Sequence, residues 1–147
     1  MSLEEDIGTG DITTQLILPH KLARATIILQ GNGIVCGISW FEMVYQKIDF
    51  EVKINWNLNE GDFIASGQLL SGLTGKACSI LTGERTALNW LQSLSGTATL
   101  VHRYVEKLQN TKAQLLDTSK TISGLRYTQK YAVRLMGGGK KSSYEFI

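Results

Sequence analysis

The period of the hydrophobic pattern changes along the chain, and each period predicts a type of element. Residues 24–38 contain two apolar stretches around a glycine turn, which predicts two strands. Residues 39–49 carry apolar side chains three and four positions apart, which predicts a helix with Ser39 as its N-cap. The stretch EVKINWNL then alternates between apolar and polar residues, which predicts a half-buried strand. The apolar face of the predicted helix consists of Phe41, Val44, Tyr45 and Ile48.

The middle of the chain changes from short extended pieces to helical spacing. Residues 59–75 are cut by glycines, as in a small antiparallel sheet. From residue 82 to residue 108, apolar residues recur at helical spacing, and the stretch from Thr82 to Arg85 is a candidate capping start. The pair Ser95-Gly96 predicts a break or a bend into two helices.

The last third of the chain predicts the opening of a second layer. A buried strand at residues 113–116 is followed by a polar loop and by a helix at residues 124–135. Alternating strands and helices are typical of a parallel sheet or barrel. We therefore predict an α+β fold class, with an N-terminal α/β sandwich and linking helices at residues 1–110. The first strands and helices of an incomplete β/α barrel follow at residues 111–147.

Composition narrows the class of protein. The chain has 147 residues, of which 43% are hydrophobic and 19% charged, as in an ordinary globular protein. Its net charge of +2 does not argue for nucleic acid or an anionic membrane as a partner. No apolar run approaches the roughly 18 residues that span a bilayer. The start, MSLEEDIG, lacks the basic and apolar regions of a signal peptide, so we expect a cytoplasmic location.

Cysteine and histidine residues are few and isolated. Cys36 and Cys78 lie far apart in apolar stretches without the spacing of metal ligands, so we expect buried thiols. His20 and His102 form no zinc motif or catalytic-histidine motif.

Polar and basic side chains follow the predicted strand at residues 113–116. Ligands of parallel β/α structures bind at the carboxyl ends of strands, where Asp117 to Lys120 (DTSK) would lie. The stretch from residue 112 to residue 141 holds seven basic residues and one acidic residue, a balance that suits carboxylate or phosphate ligands. Lys120 is the foremost candidate for a ligand contact. The basic residues are Lys112, Lys120, Arg126, Lys130, Arg134, Lys140 and Lys141.

Other basic residues have simpler interpretations. Arg126, Lys130 and Arg134 are spaced four apart, which predicts a solvated helix face. Arg85 stands beside Glu84 near a predicted helix start and, taken alone, predicts a surface ion pair.

Five stretches of the chain follow one another in a specific order: EDIGTGDITT, NEGDFIASGQLL, LTGERTALNWLQSLSGTAT, LLDTSKTISGLRYTQKYAV and GGGK. Together they resemble the quinolinate phosphoribosyltransferases, the nicotinate-nucleotide pyrophosphorylases of NAD biosynthesis. The likeness runs from about Glu5 to Lys140. It implies an α/β sandwich followed by an incomplete β/α barrel, and a homodimer in which each sandwich covers the partner's barrel.

The resemblance also implies a reaction and site residues. Enzymes of this family condense quinolinate with phosphoribosyl pyrophosphate, using magnesium, to give nicotinate mononucleotide, pyrophosphate and carbon dioxide. Arg85 matches the arginine that reaches across the dimer to a quinolinate carboxylate. Thr118, Ser119 and Lys120 match the family's Thr-Arg-Lys loop, which holds the dicarboxylate, so Lys120 is the implied catalytic residue. A dianion in a closed pocket needs such cationic donors to replace its water.

The chain departs from the family pattern at two places. Ser119 stands where the family has arginine, which removes a positive charge. Lys141, Ser142 and Ser143 stand where the family has Asn-His-Arg. The later lysine, glutamate and aspartate of the barrel have no counterpart, so no metal ligand is expected from this chain.

The ending KKSSYEFI has a single-event interpretation. A family-like ending GGGKNHRMNLSD can be encoded so that one adenine inserted in an adenine run yields Lys-Lys-Ser-Ser-Tyr-Glu-Phe-Ile and then a stop codon. We therefore expect a frameshift-truncated and inactive fragment, which sequencing of the coding DNA past the stop codon would test.

Three alternatives stay open at this point. The rhythm of residues 59–75 is similar to that of biotinyl and lipoyl carrier domains, although those domains need a lysine in a tight hairpin and none stands there. A second alternative is that the sandwich serves as a non-catalytic dimerisation module. A third alternative is an enzyme of the same superfamily that acts on another pyridine or pyrimidine acid.

Overall fold

The computed structural model of the protein describes residues 2–7 and 20–138. The expectations for the glycine-rich end and for KKSSYEFI therefore lie partly or wholly outside the described residues. The elements in chain order are α1 (Ser2–Ile7), β1 (Leu22–Ile28), β2 (Gly33–Ile34), α2 (Ile38–Ile48), β3 (Lys53–Trp56), β4 (Phe63–Ile64), β5 (Leu69–Lys76), α3 (Ala77–Leu108) and α4 (Arg126–Leu135).

The described strands form two small antiparallel sheets. One has the order β1-β5-β3, with Leu22 opposite Lys76 and Lys53 opposite Thr74. The other pairs β2 with β4. The two strands predicted within residues 24–38 are present, but they belong to different sheets and do not pair with each other. Antiparallel sheets combined with segregated helices confirm the α+β class.

The main core lies between the three-stranded sheet and the helices α2 and α3. The predicted apolar face of α2 is confirmed, because Phe41, Val44 and Tyr45 are buried and Ile48 is half-buried. The alternation around β3 is also confirmed, with Val52 buried. Burial of these faces is the main favourable contribution to folding of this layer.

Helix α2 begins one residue earlier than predicted, and Ser39 is not its N-cap. The cap is Gly37, whose backbone φ of 108° lies in the left-handed region that glycine tolerates. Its side-chain-free Cα also permits close packing, because an added Cβ would lie 3.1 Å from Leu94 Cδ1. The Glu60 carboxylate accepts the amide hydrogens of Gly37 and Ile38 at 2.6 and 3.0 Å. A distant acid therefore does the work of a local cap.

Helix α3 is continuous over 32 residues, so the predicted start near Thr82 and the predicted break at Ser95-Gly96 are both wrong. The helix follows β5 directly. Ser95 does not break it, because the Ser95 hydroxyl exchanges hydrogen bonds with the backbone N–H and carbonyl of Cys36 at 2.9 and 3.1 Å. Tertiary bonds of this kind override the weak helix propensity of serine and glycine.

A second, smaller core joins α4 to the rest of the molecule. Buried residues from β2 and the segment after it, from α3 and from α4 form this core, with Trp40 and Tyr131 in edge-on contact at 5.0 Å between ring centroids. The helix predicted at residues 124–135 is confirmed with a slightly later start. The buried residues are Ile34, Cys36, Leu94, Ala98 and Ala132.

The predicted buried strand at residues 113–116 is wrong. Residues 113–115 have no regular secondary structure, only Leu116 makes a bridge, and Leu116 is 48% exposed. A strand needs neighbours on its edges to satisfy its backbone, and none of the described residues provides a full ladder here.

The two cysteines differ in burial, and the described helices are not of the membrane-spanning kind. Cys36 is fully buried as predicted, whereas Cys78 is only half-buried, and neither forms a disulfide with a described residue. Within residues 2–7 and 20–138, no helix combines the length and the apolar character that a membrane crossing requires.

Candidate functional site

The segment that was expected to contact ligand is a loop between α3 and α4. Asp117 is 8% exposed, whereas Thr118, Ser119 and Lys120 are all exposed. The Lys120 side chain makes no hydrogen bond or ion pair with any described residue. In this loop the Asp117 carboxylate is thus buried, whereas the Lys120 ammonium is exposed to solvent.

Short-range hydrogen bonds shape this loop. The Lys120 amide donates to the Thr118 hydroxyl at 3.2 Å, and the Thr121 amide donates to the Ser119 carbonyl at 3.1 Å. Bonds of this type form compact turns of the backbone. The three predicted loop residues are therefore adjacent and held in one turn.

Arg85 lies apart from this loop in the sequence of elements, in the first half of α3. Its side chain is exposed, and among the described residues it has no ion pair, not even with the adjacent Glu84. The surface ion pair expected from the sequence alone is therefore wrong for this pair. No hydrogen bond or ion pair of the described chain connects Arg85 with Thr118, Ser119 or Lys120.

The basic helix face is only partly the solvated surface that its spacing predicts. Arg126 and Arg134 are exposed. Lys130 differs, because its ammonium lies 3.3 Å from Asp117 Oδ2, and the two side chains are 26% and 6% exposed. The adjacent residue Gln129 accepts the Ile122 amide at 2.9 Å through its side-chain oxygen. Neither contact was predicted from the sequence, since helical spacing reports the neighbours along a helix and not those across a loop.

Glu60 is a second polar residue that the sequence did not single out. Besides capping α2, it lies next to Cys36 and Tyr131, at the contact between the sandwich and α4. Burial, and then the charge of Glu60, raise the pKa of the Cys36 thiol far above its ordinary value. The same two causes raise the pKa of Tyr131. Both groups therefore stay protonated at neutral pH and can donate hydrogen bonds to the carboxylate.

An open cavity of about 720 Å³ lies between the end of β1, the segment through β2 and one side of α3. Its lining is mostly apolar and includes Ile28, Leu91 and Leu100, with Arg103 among the few polar residues. None of the residues predicted to bind substrate lines it. We therefore place the candidate site at the loop and not at this cavity.

A metal site is not evident in the part of the chain that the structure describes. No group of three or more histidine, cysteine, aspartate or glutamate side chains is close enough there to hold an ion. The loop offers hydroxyl groups and an ammonium group, which suit carboxylate or phosphate oxygens and not a divalent cation. Magnesium therefore does not fit the described residues of this loop.

Comparisons with known proteins bear directly on the two layers of the chain. Residues 11–95 match the model of the quinolinate phosphoribosyl transferase N-terminal domain, and residues 97–145 match the model of its C-terminal domain. A probable nicotinate-nucleotide pyrophosphorylase (carboxylating) of Bacillus subtilis is 38% identical over 134 residues, which is 91% of this chain and 46% of that protein. A quinolinate phosphoribosyltransferase (decarboxylating) of Nicotiana tabacum is 38% identical over 142 residues, 95% of this chain and 40% of that protein.

Solved structures show the same relationship. The nicotinate-nucleotide pyrophosphorylase of Francisella tularensis superposes with a TM-score of 0.90 at 42% identity, covering 95% of this chain and 50% of that one. The chain thus spans about half the length of the relatives it matches. The predicted arrangement, a sandwich followed by the start of the barrel domain, is confirmed. The chain belongs to the quinolinate phosphoribosyltransferase family.

Proposed function

We propose that the chain carries the quinolinate-binding part of a phosphoribosyltransferase that makes nicotinate mononucleotide. The supporting observation is the turn of Thr118, Ser119 and Lys120, which presents an ammonium without a described partner together with two hydroxyl groups. These groups match the needs of a pyridine dicarboxylate. Family membership supports quinolinate as the ligand over other pyridine or pyrimidine acids, and it argues against the carrier-domain alternative.

The proposed roles are those that the family resemblance implies, and the charges of the residues agree with them. Lys120 holds one carboxylate and stabilises the negative charge that develops on the ring as carbon dioxide leaves. Thr118 and Ser119 donate hydrogen bonds to carboxylate oxygens. Arg85, exposed and without an ion-pair partner among the described residues, binds a carboxylate in the site of a second copy of the chain, which makes the functional unit a homodimer.

The reaction balances as follows. The pyridine nitrogen of quinolinate attacks C1 of the ribose, and the bond from C1 to pyrophosphate breaks. The carboxyl group next to the nitrogen leaves as carbon dioxide, and its bonding electrons stay on the ring carbon, which takes up a proton. Magnesium would be supplied together with phosphoribosyl pyrophosphate, while Thr118, Ser119 and Lys120 bind the dicarboxylate and Lys120 also stabilises the charge on the ring.

The chain alone is not expected to complete this reaction. Ser119 stands where the family loop has arginine, so the proposed site lacks one fixed positive charge. We expect no nicotinate mononucleotide above a blank without protein. A division at residues 110 and 111 and a cytoplasmic location stay predictions.

Binding of quinolinate tests the proposal. Titration calorimetry should give saturable binding to the chain, weakened about tenfold or more by Lys120→Met, because a charge-assisted hydrogen bond contributes about 1.5–3 kcal/mol. Arg85→Met should weaken binding only where light scattering shows a dimer. Lys53→Met removes an exposed ammonium from β3 and is the matched control, which should bind like the parent. Equal affinity of the Lys120→Met variant and the parent would overturn the proposed site.

A further inference from the structure

Two consecutive residues of α4 bind the two ends of the candidate loop. The Lys130 ammonium lies 3.3 Å from the Asp117 carboxylate, where the loop begins. The Gln129 side chain accepts the Ile122 amide at 2.9 Å, where the turn ends. The residues between these two anchors include the proposed contacts to substrate, so α4 fixes both ends of the segment.

The ion pair is partly withdrawn from water. The Asp117 side chain is 6% exposed and that of Lys130 is 26% exposed. Exposed ion pairs contribute little to stability, whereas a pair that is partly withdrawn from water is screened less by solvent and salt. Lys130 is therefore a stronger anchor than its place on a basic helix face suggests.

The ion pair between Lys130 and Asp117 distinguishes Lys130 from Lys120. Lys130 neutralises the single acid of the stretch, whereas Lys120 keeps an exposed ammonium with no partner among the described residues. A flexible loop would lose backbone and side-chain freedom when it binds an anion, which costs affinity. A loop held at both ends has already lost part of that freedom.

We propose that Lys130 is a positioning residue, which through Asp117 and together with Gln129 holds the turn so that Lys120 meets a dicarboxylate ligand. The inference rests on the proposed function for the identity of that ligand, but not for the loop geometry itself. Lys130 need not touch the ligand.

Amide hydrogen exchange tests the geometry without any ligand. Lys130→Met should speed the exchange of the Lys120, Thr121 and Ile122 amides about tenfold, while amides within α3 keep their rates. Lys130→Arg should stay within about twofold of the parent, because it restores the ion pair. Arg134→Met removes a basic side chain one turn further along α4 and should change nothing in the loop. Unchanged loop exchange in the Lys130→Met variant would overturn the proposal.

A second variant guards against general unfolding. Gln129→Ala should speed exchange at the Ile122 amide and leave α3 protected. If either variant lost protection throughout α3 as well, the effect would be global, and the positioning role would be contradicted.

Quinolinate titrations then test whether Lys130 acts through Lys120. Lys130→Met should weaken binding about fivefold to tenfold, and the double variant Lys120→Met, Lys130→Met should bind no more weakly than Lys120→Met alone. Additive losses would show that Lys130 acts independently and would refute the inference. If the parent binds no quinolinate while loop exchange still depends on Lys130, the proposed function fails and the positioning of the loop stands.

Discussion

Two glycines on the same long helix should respond in opposite ways to the same substitution. An added Cβ at Gly96 would meet no heavy atom within 4 Å, whereas one at Gly83 would lie 2.7 Å from Tyr45 Cε1 and 3.1 Å from Ile48 Cδ1. Tyr45 is 2% exposed, and its hydroxyl donates to the Ile80 carbonyl at 3.1 Å. The Tyr45 ring, which faces Gly83, is therefore held in place by its burial and by the hydrogen bond of its hydroxyl.

The expected magnitudes follow from helix propensity and packing. Alanine is favoured over glycine in a helix interior by about 1 kcal/mol, so Gly96→Ala should raise the free energy of unfolding by about 0.5–1 kcal/mol. Gly83→Ala has the same gain, but overpacking costs about 1–3 kcal/mol, so the variant should be destabilised by about 1 kcal/mol. The two variants should differ by about 2 kcal/mol.

Urea unfolding followed by circular dichroism measures this difference, with each variant compared at an unchanged slope. If Gly96→Ala were destabilising, the helix would be bent or interrupted at Ser95-Gly96 after all. If Gly83→Ala were as stable as Gly96→Ala, the close approach of α2 and α3 at Gly83 would be refuted.

Three further predictions concern charged and ionisable groups. Glu60→Ala removes the acceptor of two backbone amides and should lower the free energy of unfolding by about 2–4 kcal/mol in urea titrations, whereas Glu60→Gln should lose about half as much; equal effects would argue against the cap. The hydroxyl of Ser79, the Glu51 amide and Lys76 lower the pKa of Asp49, so its contribution is present above the ordinary carboxyl pKa and is lost as pH falls through the lower folded value. The free energy of unfolding, measured from pH 6 down to pH 2, should thus fall less steeply in Asp49→Asn than in the parent. Parallel curves for the two proteins would contradict this. Because burial raises the pKa of the Cys36 thiol, it should escape a disulfide reagent at pH 8 until urea unfolds the chain, and rapid native labelling would count against its burial.

The local pattern of apolar and polar residues was sufficient to predict an element wherever that element buries one of its faces. The spacing of Phe41, Val44 and Tyr45 predicted α2, and the alternation from Val52 predicted β3, because both patterns report burial directly. The change of period also predicted the order of the two layers, and the family motifs pointed to the same order.

Long-range partners explain the errors. Ser95 looked like a helix breaker, but its hydroxyl bonds to the backbone of Cys36, 59 positions earlier in the chain. Ser39 looked like an N-cap, but Glu60, 23 positions after Gly37, takes that role. A strand at residues 113–116 was expected because its leucines are apolar, yet strand formation depends on neighbours that a local window does not contain. Lys130 was assigned to a solvated face for the same reason.

Because α3 is continuous, a change of direction at one of its residues displaces the end of the helix. About 12 residues separate Gly96 from the end of the helix, which is a distance of about 18 Å at 1.5 Å per residue. A bend of only about 10° at Gly96 would displace the end of the helix sideways by about 3 Å, which is about the length of a hydrogen bond. Small angular changes at one glycine would thus be enlarged where the loop between α3 and α4 begins. The course of α3 thus contributes to where the loop between α3 and α4 begins, although Gly96 is far from that loop in the chain.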